Sequence, residues 1–248
     1  MALDAVSRLN SSLGRVSSII SVAWPTTAAG LIREQEKLAR ATPPAWRPAD
    51  VRSVGGCFVC FARGKGGPGE AGDPGWAGAA LLRGTRLVAG AVAAGEAGAA
   101  YQPGLLALRE GRLLEAAVRR LPEEPDVLLV NATGRDHPRR AGLAFHLGAV
   151  LDVPTIGITH RLLLAEGRWP AGEQGATSPF ELEGEHVGCW VRTRRGTRPL
   201  AVHAAWRTDA ESAVTFVRAT LSRTRTPEPL RQARRLARTE RERSECGR

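Results

Sequence analysis

The sequence predicts an α/β domain built on a mixed sheet, and three observations predict it. Three apolar, strand-length runs follow one another between positions 54 and 93. From 105 onward, helical and strand-like patterns alternate. The segments between them are rich in Gly, Pro and polar residues. Strands joined by tight turns make an antiparallel meander, whereas strands separated by helices add to a sheet in parallel.

Residues 1–23 are Ser-rich and poor in acids, and their apolar stretch is too short and broken for a secretory signal. They are expected to form a disordered leader ahead of a domain at 24–237. From Trp24 a helix is expected, with Pro25 near its start, Thr26 and Thr27 as capping candidates, and Leu31, Ile32, Gln35 and Leu38 on one face. Pro43-Pro44 ends it. A buried strand at 54–61 precedes a Gly/Pro-rich loop at 64–75. Strands at 76–82 and 87–93 flank the turn Arg83-Gly84-Thr85. Residues 105–121 keep helical spacing until Pro122; a strand at 126–130, a helix at 140–151 and a strand at 154–158 follow. A hairpin of 187–193 and 199–204 turns at Arg195-Gly196-Thr197, and Asp209 caps a helix at 209–221. The chain from 231 is polar and Arg-rich, so it is expected to fray, with 238–248 as a solvated tail.

With 43% hydrophobic and 24% charged residues over 248 positions, the composition excludes a fibrous or disordered chain and provides for one substantial core. A formal charge of +10 favours a polyanionic partner, because basic side chains that neutralise phosphates release condensed counterions. Only Lys37 and Lys65 are lysines among 35 basic residues, so part of this charge reflects a general bias toward Arg. Four scattered cysteines make no disulfide framework and fit a reducing, cytoplasmic compartment. Cys57 and Cys60 have CxxC spacing within an apolar strand. Residues three apart on a strand face opposite sides, and no second Cys/His pair follows, which argues against zinc. No apolar run approaches the ~20 residues needed to span a bilayer.

Five blocks carry a family resemblance. They are Val54-Gly55-Gly56-Cys57-Phe58-Val59; Tyr101-Gln102-Pro103-Gly104-Leu105-Leu106-Ala107-Leu108-Arg109-Glu110; residues 130–140 with His137-Pro138-Arg139-Arg140; Asp152-Val153-Pro154-Thr155-Ile156-Gly157; and Pro227-Glu228-Pro229-Leu230-Arg231. In this order they resemble the endonuclease V family, repair nucleases that recognise deaminated purines, hypoxanthine above all, and cut on the 3′ side. The resemblance implies a ribonuclease H-like fold, Mg²⁺ as cofactor and a nucleic-acid partner, DNA or RNA, with inosine as the feature read.

The same resemblance implies a metal held by carboxylates at strand ends, at the positions of Phe58, Glu110 and Asn131. Only Glu110 keeps a carboxylate. An aromatic cannot ligate a cation, and an amide removes a full charge from the site. His160 stands at a lysine position and Trp206 at a histidine position. Glu110, His137 and His160 are the catalytic positions. Asp73, Glu96 and Asp136 are the acids near enough in sequence to be considered as substitutes for the lost ligands.

The reading features are fuller. Tyr101, Pro103 and Gly104 match a loop that wedges at the lesion, where an aromatic stacks on bases; the bland alternative is a Pro-Gly turn with an exposed Tyr. Gly134, Arg139 and Arg140 lie in a polar loop at a helix start, which serves either phosphate binding or simple capping. The expectation is a nucleic-acid-binding protein of this descent whose nuclease chemistry is impaired or lost, with an active Mg²⁺-dependent inosine endonuclease and a non-catalytic scaffold as alternatives.

Overall fold

The computed structural model describes residue 22 and residues 24–47, 51–62 and 68–246. The leader at 1–23 falls almost entirely outside them, as does the first part of the loop at 64–75. Among the described residues, eight strands form one mixed sheet, with five helices in two layers around it. The elements are α1 (Ala28–Ala39), β1 (Val54–Phe61), β2 (Pro74–Arg83), β3 (Arg86–Glu96), α2 (Leu106–Arg119), β4 (Val127–Val130) and α3 (Leu143–Leu151). They continue with β5 (Thr155–Thr159), β6 (Thr177–Leu182), β7 (Glu185–Val191), β8 (Leu200–Ala204), α4 (Ala210–Ala219) and α5 (Glu228–Cys246).

The strand order is β3-β2-β1-β4-β5-β8-β7-β6. The meander β1 to β3 is antiparallel, and β4 and β5 add in parallel to β1. A second antiparallel group, β8, β7 and β6, extends the other side from β5. The expected α/β class and the mixed sheet with its meander and parallel additions are what the chain forms. Alternation along each strand divides the core. Cys57, Leu128 and Val130 pack under α2 and α3, whereas Val127, Leu129 and Ile156 face the α4 side. Cys57 and Cys60 lie in different clusters on opposite faces, as strand geometry requires.

Local signals explain the element ends. Thr27 caps α1 by accepting from the Gly30 amide at 3.1 Å. Asp209 and Ser212 make a reciprocal capping box on α4. Two expectations need correction. Residues 140–142 are not helical: Gly142 is the N-cap of α3, and Arg140 has φ 56°. The Arg-rich end does not fray at 231, because α5 runs to Cys246.

The reason lies in a thin stripe on α5. Pro229, Leu230, Ala233 and Ala237 are buried at helical spacing among the arginines. They can approach the sheet because the strands beneath carry glycine. A Cβ on Gly56 would meet the Pro229 carbonyl carbon at 2.3 Å, and one on Gly78 would meet the Ala233 carbonyl oxygen at 2.3 Å. The strand β6 was also missed: it carries Pro179 and a polar pattern, and it occupies the sheet edge, where proline is tolerated.

Candidate active site and nucleic-acid interface

Two corners of the molecule collect the residues singled out from the sequence. The first surrounds the Tyr101–Gly104 loop. Gly104, at φ 75°, turns its carbonyl toward three donors: Gln35 Nε2 at 3.3 Å, His137 Nε2 at 3.0 Å and Arg139 Nη2 at 2.8 Å. Arg139 also donates through Nε to Gln35 Oε1 at 2.7 Å. The Arg139 amide donates to His137 Nδ1 at 3.1 Å, which leaves the ring proton on Nε2. His137 is therefore neutral and pinned at both nitrogens. Burial pushes its pKa down to about 4, against the pull of the Gly104 carbonyl.

Arg109 supports this loop from below. It is buried and pairs with Asp73 at 2.9 Å, donates to the carbonyls of Glu70 at 2.7 Å and Ala99 at 3.0 Å, and stacks on the Phe61 ring. These bonds tie α2 to the segments on either side of Tyr101, whose amide donates to Gly69. Tyr101 itself is 44% exposed, and Pro103, two residues on, is exposed too. Sequence reading quoted Arg109 only as part of a motif and passed over Gln35 as a helix-face residue. An Arg within an apolar helical run, directly before an expected catalytic Glu, was the available signal.

The remaining loop positions have structural tasks. Gly134 is demanded by packing, since a Cβ there would lie 1.9 Å from the Ala204 carbonyl oxygen. Arg140 turns away to the β6–β7 hairpin, donating to the Leu182 carbonyl at 2.7 Å and pairing with Glu183 at 3.0 Å. It does not join Arg139. Asp136 accepts from the amides of Leu163, Leu164 and Ala165 at 2.7–2.8 Å, so it organises the loop after β5. Asp73 is committed to Arg109, and Glu96 ends the outer strand β3. None of the three acids takes the place of Phe58. Trp206 is buried edge-on against Phe145.

The second corner lies at the strand ends. The register pairs Cys57 with Val130, so Phe58 and Asn131 follow side by side on β1 and just past β4. The Phe58 ring packs toward α5 with Ala80, Leu82, Ala233 and Leu236. Above it, at 4.8 Å from the ring centre, lies the Arg234 guanidinium. His160, at the surface just beyond β5, is held below its ordinary pKa by partial desolvation of its ring and then by the charges of Arg225 and Arg234. Glu110 on α2 is pushed up to about 7 by burial, partly offset by Arg109. It lies near the Cys57 thiol, which burial and then the Glu110 charge push upward. Among the described residues no three of His, Cys, Asp and Glu gather where they could hold a metal ion.

A family model described as Endonuclease V matches residues 38–235. The Endonuclease V of Gloeobacter violaceus is 34% identical over 220 residues, 88% of this chain and 87% of that protein. Shorter alignments at 41–43% identity span between 56% and 69% of other Endonuclease V proteins, less than two thirds of the Roseiflexus protein's own length among them. The crystal structure of the Streptomyces avermitilis Endonuclease V superposes with a TM-score of 0.80 at 30% identity, covering 90% of this chain and 96% of that one. The Ciona intestinalis Endonuclease V, 22% identical, shares the fold with a TM-score of 0.69 over 87% of this chain and 98% of its own, and was solved with a 24mer DNA containing an inosine followed by a ribo-adenosine. The mixed sheet, the five motif blocks and these likenesses lead to one statement: the chain belongs to the endonuclease V family.

Proposed function

We propose that this protein binds nucleic acid through an inherited reading loop but no longer cleaves it by Mg²⁺-assisted hydrolysis. The observation that carries this reading is the Phe58–Arg234 contact at the strand ends. Mg²⁺ requires about six hard oxygen ligands in near-octahedral array. The residues present do not fit that group: a phenyl ring, an amide and one partly buried carboxyl supply little charge, and a guanidinium already stands over the ring. The partner would be inosine-containing DNA or RNA, as the Ciona relative's complex supports for DNA. Tyr101 would stack on an exposed base, while His137 and Arg139 hold its loop in shape.

A second reading, an active inosine endonuclease with displaced ligands, is favoured by Glu110, whose carboxyl survives near the strand ends. The two separate in one experiment. Purified protein would be incubated with inosine-containing and undamaged strands, DNA and RNA, single and double, with Mg²⁺ or Mn²⁺. Binding without nicking is expected; strand scission 3′ to inosine at a rate proportional to enzyme would overturn the proposal.

A further inference from the structure

Beside Phe58, α5 and the segment at 224–226 enclose an open groove of about 520 Å³. Five arginines line it, Arg225, Arg231, Arg234, Arg235 and Arg238, with a single carboxylate, Glu242. On α5 the spacing 231, 234/235, 238 puts four of them on one helix face. That face runs for roughly 10 Å, about three rises of a duplex strand at 3.4 Å each. Arg231, Arg235 and Arg238 are exposed.

These charges are unusually free. Arg231 pairs with Glu228 at 2.7 Å, but among the described residues Arg234, Arg235 and Arg238 make no ion pair or hydrogen bond, and the Arg234 Nε is buried without a partner. Arg225 is held in place from behind, its guanidinium donating to the carbonyls of Arg198 at 2.7 Å and Pro199 at 3.1 Å. The arginines also feel one another. Burial and then Arg238 press down the pKa of Arg234, and the Arg225 and Arg234 charges reach His160. Like charges concentrated with few counter-ions are costly for a fold and favourable for an anion that covers them.

We propose that this groove is a metal-independent clamp for the nucleic-acid backbone, in which the Arg234 guanidinium over Phe58 supplies the positive charge at the strand ends and Arg225, Arg235 and Arg238 lead a strand to it. A guanidinium donates two parallel hydrogen bonds to phosphate oxygens, and it stays protonated. Unlike a divalent ion, it does not make a bound water acidic enough to attack. The clamp therefore grips a phosphodiester and leaves it intact. This inference rests on the binding function proposed above and adds its route and its independence of metal.

Fluorescence anisotropy of a fluorescein-labelled oligothymidylate, with EDTA present throughout, tests it. The wild type should bind in EDTA. Arg235→Ala with Arg238→Ala, both at exposed positions, should weaken binding about tenfold at moderate salt and flatten the slope of log K against log salt by about 1.4, the loss of two single-strand phosphate contacts. Arg33→Ala with Arg40→Ala, equal in charge removed but exposed on α1 and at its C-cap, a helix that packs with α2 and α3 rather than with α5, should change neither by more than about a third of that. Unchanged affinity in the groove variant, equal weakening in both pairs, or wild-type binding that vanishes in EDTA would each overturn the clamp while leaving nucleic-acid binding standing. A wild type that binds no strand with or without Mg²⁺ would overturn both.

Discussion

The corner around Gly104 and the corner at the strand ends draw on the same motif blocks, yet they are built oppositely. Around Gly104 one carbonyl receives three donors, His137 is held at both nitrogens, and Arg109 makes three bonds and a ring contact from beneath. Geometry there is over-determined. At the strand ends the backbone register sets Phe58 beside Asn131, both neutral, and Arg234 brings a cation over the Phe58 ring. On the function proposed above, gripping and cutting are separable, because one would depend on a braced loop and the other on a few carboxylates.

The largest expected effect breaks the bracing itself. Arg109→Ala strands the Asp73 carboxylate in the interior, and removing one member of a buried pair costs about 3–5 kcal/mol. Urea unfolding should show that loss, together with fast hydrogen exchange at the Tyr101 amide; a change under 1 kcal/mol, as at an ordinary surface site, would mean the staple is dispensable. Acid probes the same corner. Burial holds both His137 and His203 at about 4, whereas an unfolded histidine titrates near 6.5. Between those values only the unfolded chain takes up protons at these histidines, so their contribution is full at neutral pH and is lost as pH drops from about 6.5 toward 4. Each histidine should account for a loss of roughly 2 kcal/mol from pH 7 to pH 5, while Glu110, held up at about 7 in the fold, gains a proton in the same window and offsets about one of them. His137→Gln, which keeps a donor for the Gly104 carbonyl, should therefore remove most of the net slope, and an unaltered slope would contradict the assignment.

Next in size is Tyr101→Ala. With the side chain already 44% exposed, stability should hold while affinity for an inosine strand falls by the equivalent of about 1–3 kcal/mol, the worth of one stacked base. Equal affinity would reduce Tyr101 to a turn residue. The smallest effect sharpens the contrast at the strand ends. Phe58→Asp with Asn131→Asp restores two carboxylates, but the first would pair with Arg234 and stay neutralised. Adding Arg234→Ala should tighten Mn²⁺ binding by about tenfold, near 1.4 kcal/mol, measured by calorimetry. If the double variant alone binds Mn²⁺ as well as the triple, Arg234 is not the obstacle.

Legibility in the sequence followed the range over which the causes act. The strand β1 was read to its last residue, because an apolar run bounded by polar turns is a local signal. The cap at Thr27 and the box at Asp209 were local too. The helix α5 was not legible, since its buried stripe is small and interrupted by arginines, and its reason for packing lies in glycines on β1 and β2. At the site, Phe58 and Asn131 stood out by resemblance, whereas Arg234 became visible only once α5 crossed β1. Arg140 was grouped with Arg139 by adjacency, although a left-handed backbone at that residue sends the two side chains to different partners.

The glycines under α5 have a consequence for how such a site can change. Because the helix rests on the sheet by main-chain contact at Gly56 and Gly78, its height and rotation do not depend on the residues it displays outward. It acts as a fixed mount with interchangeable fittings. A chain built this way can trade one chemistry for another a single side chain at a time, with no intermediate having to find a new way to pack.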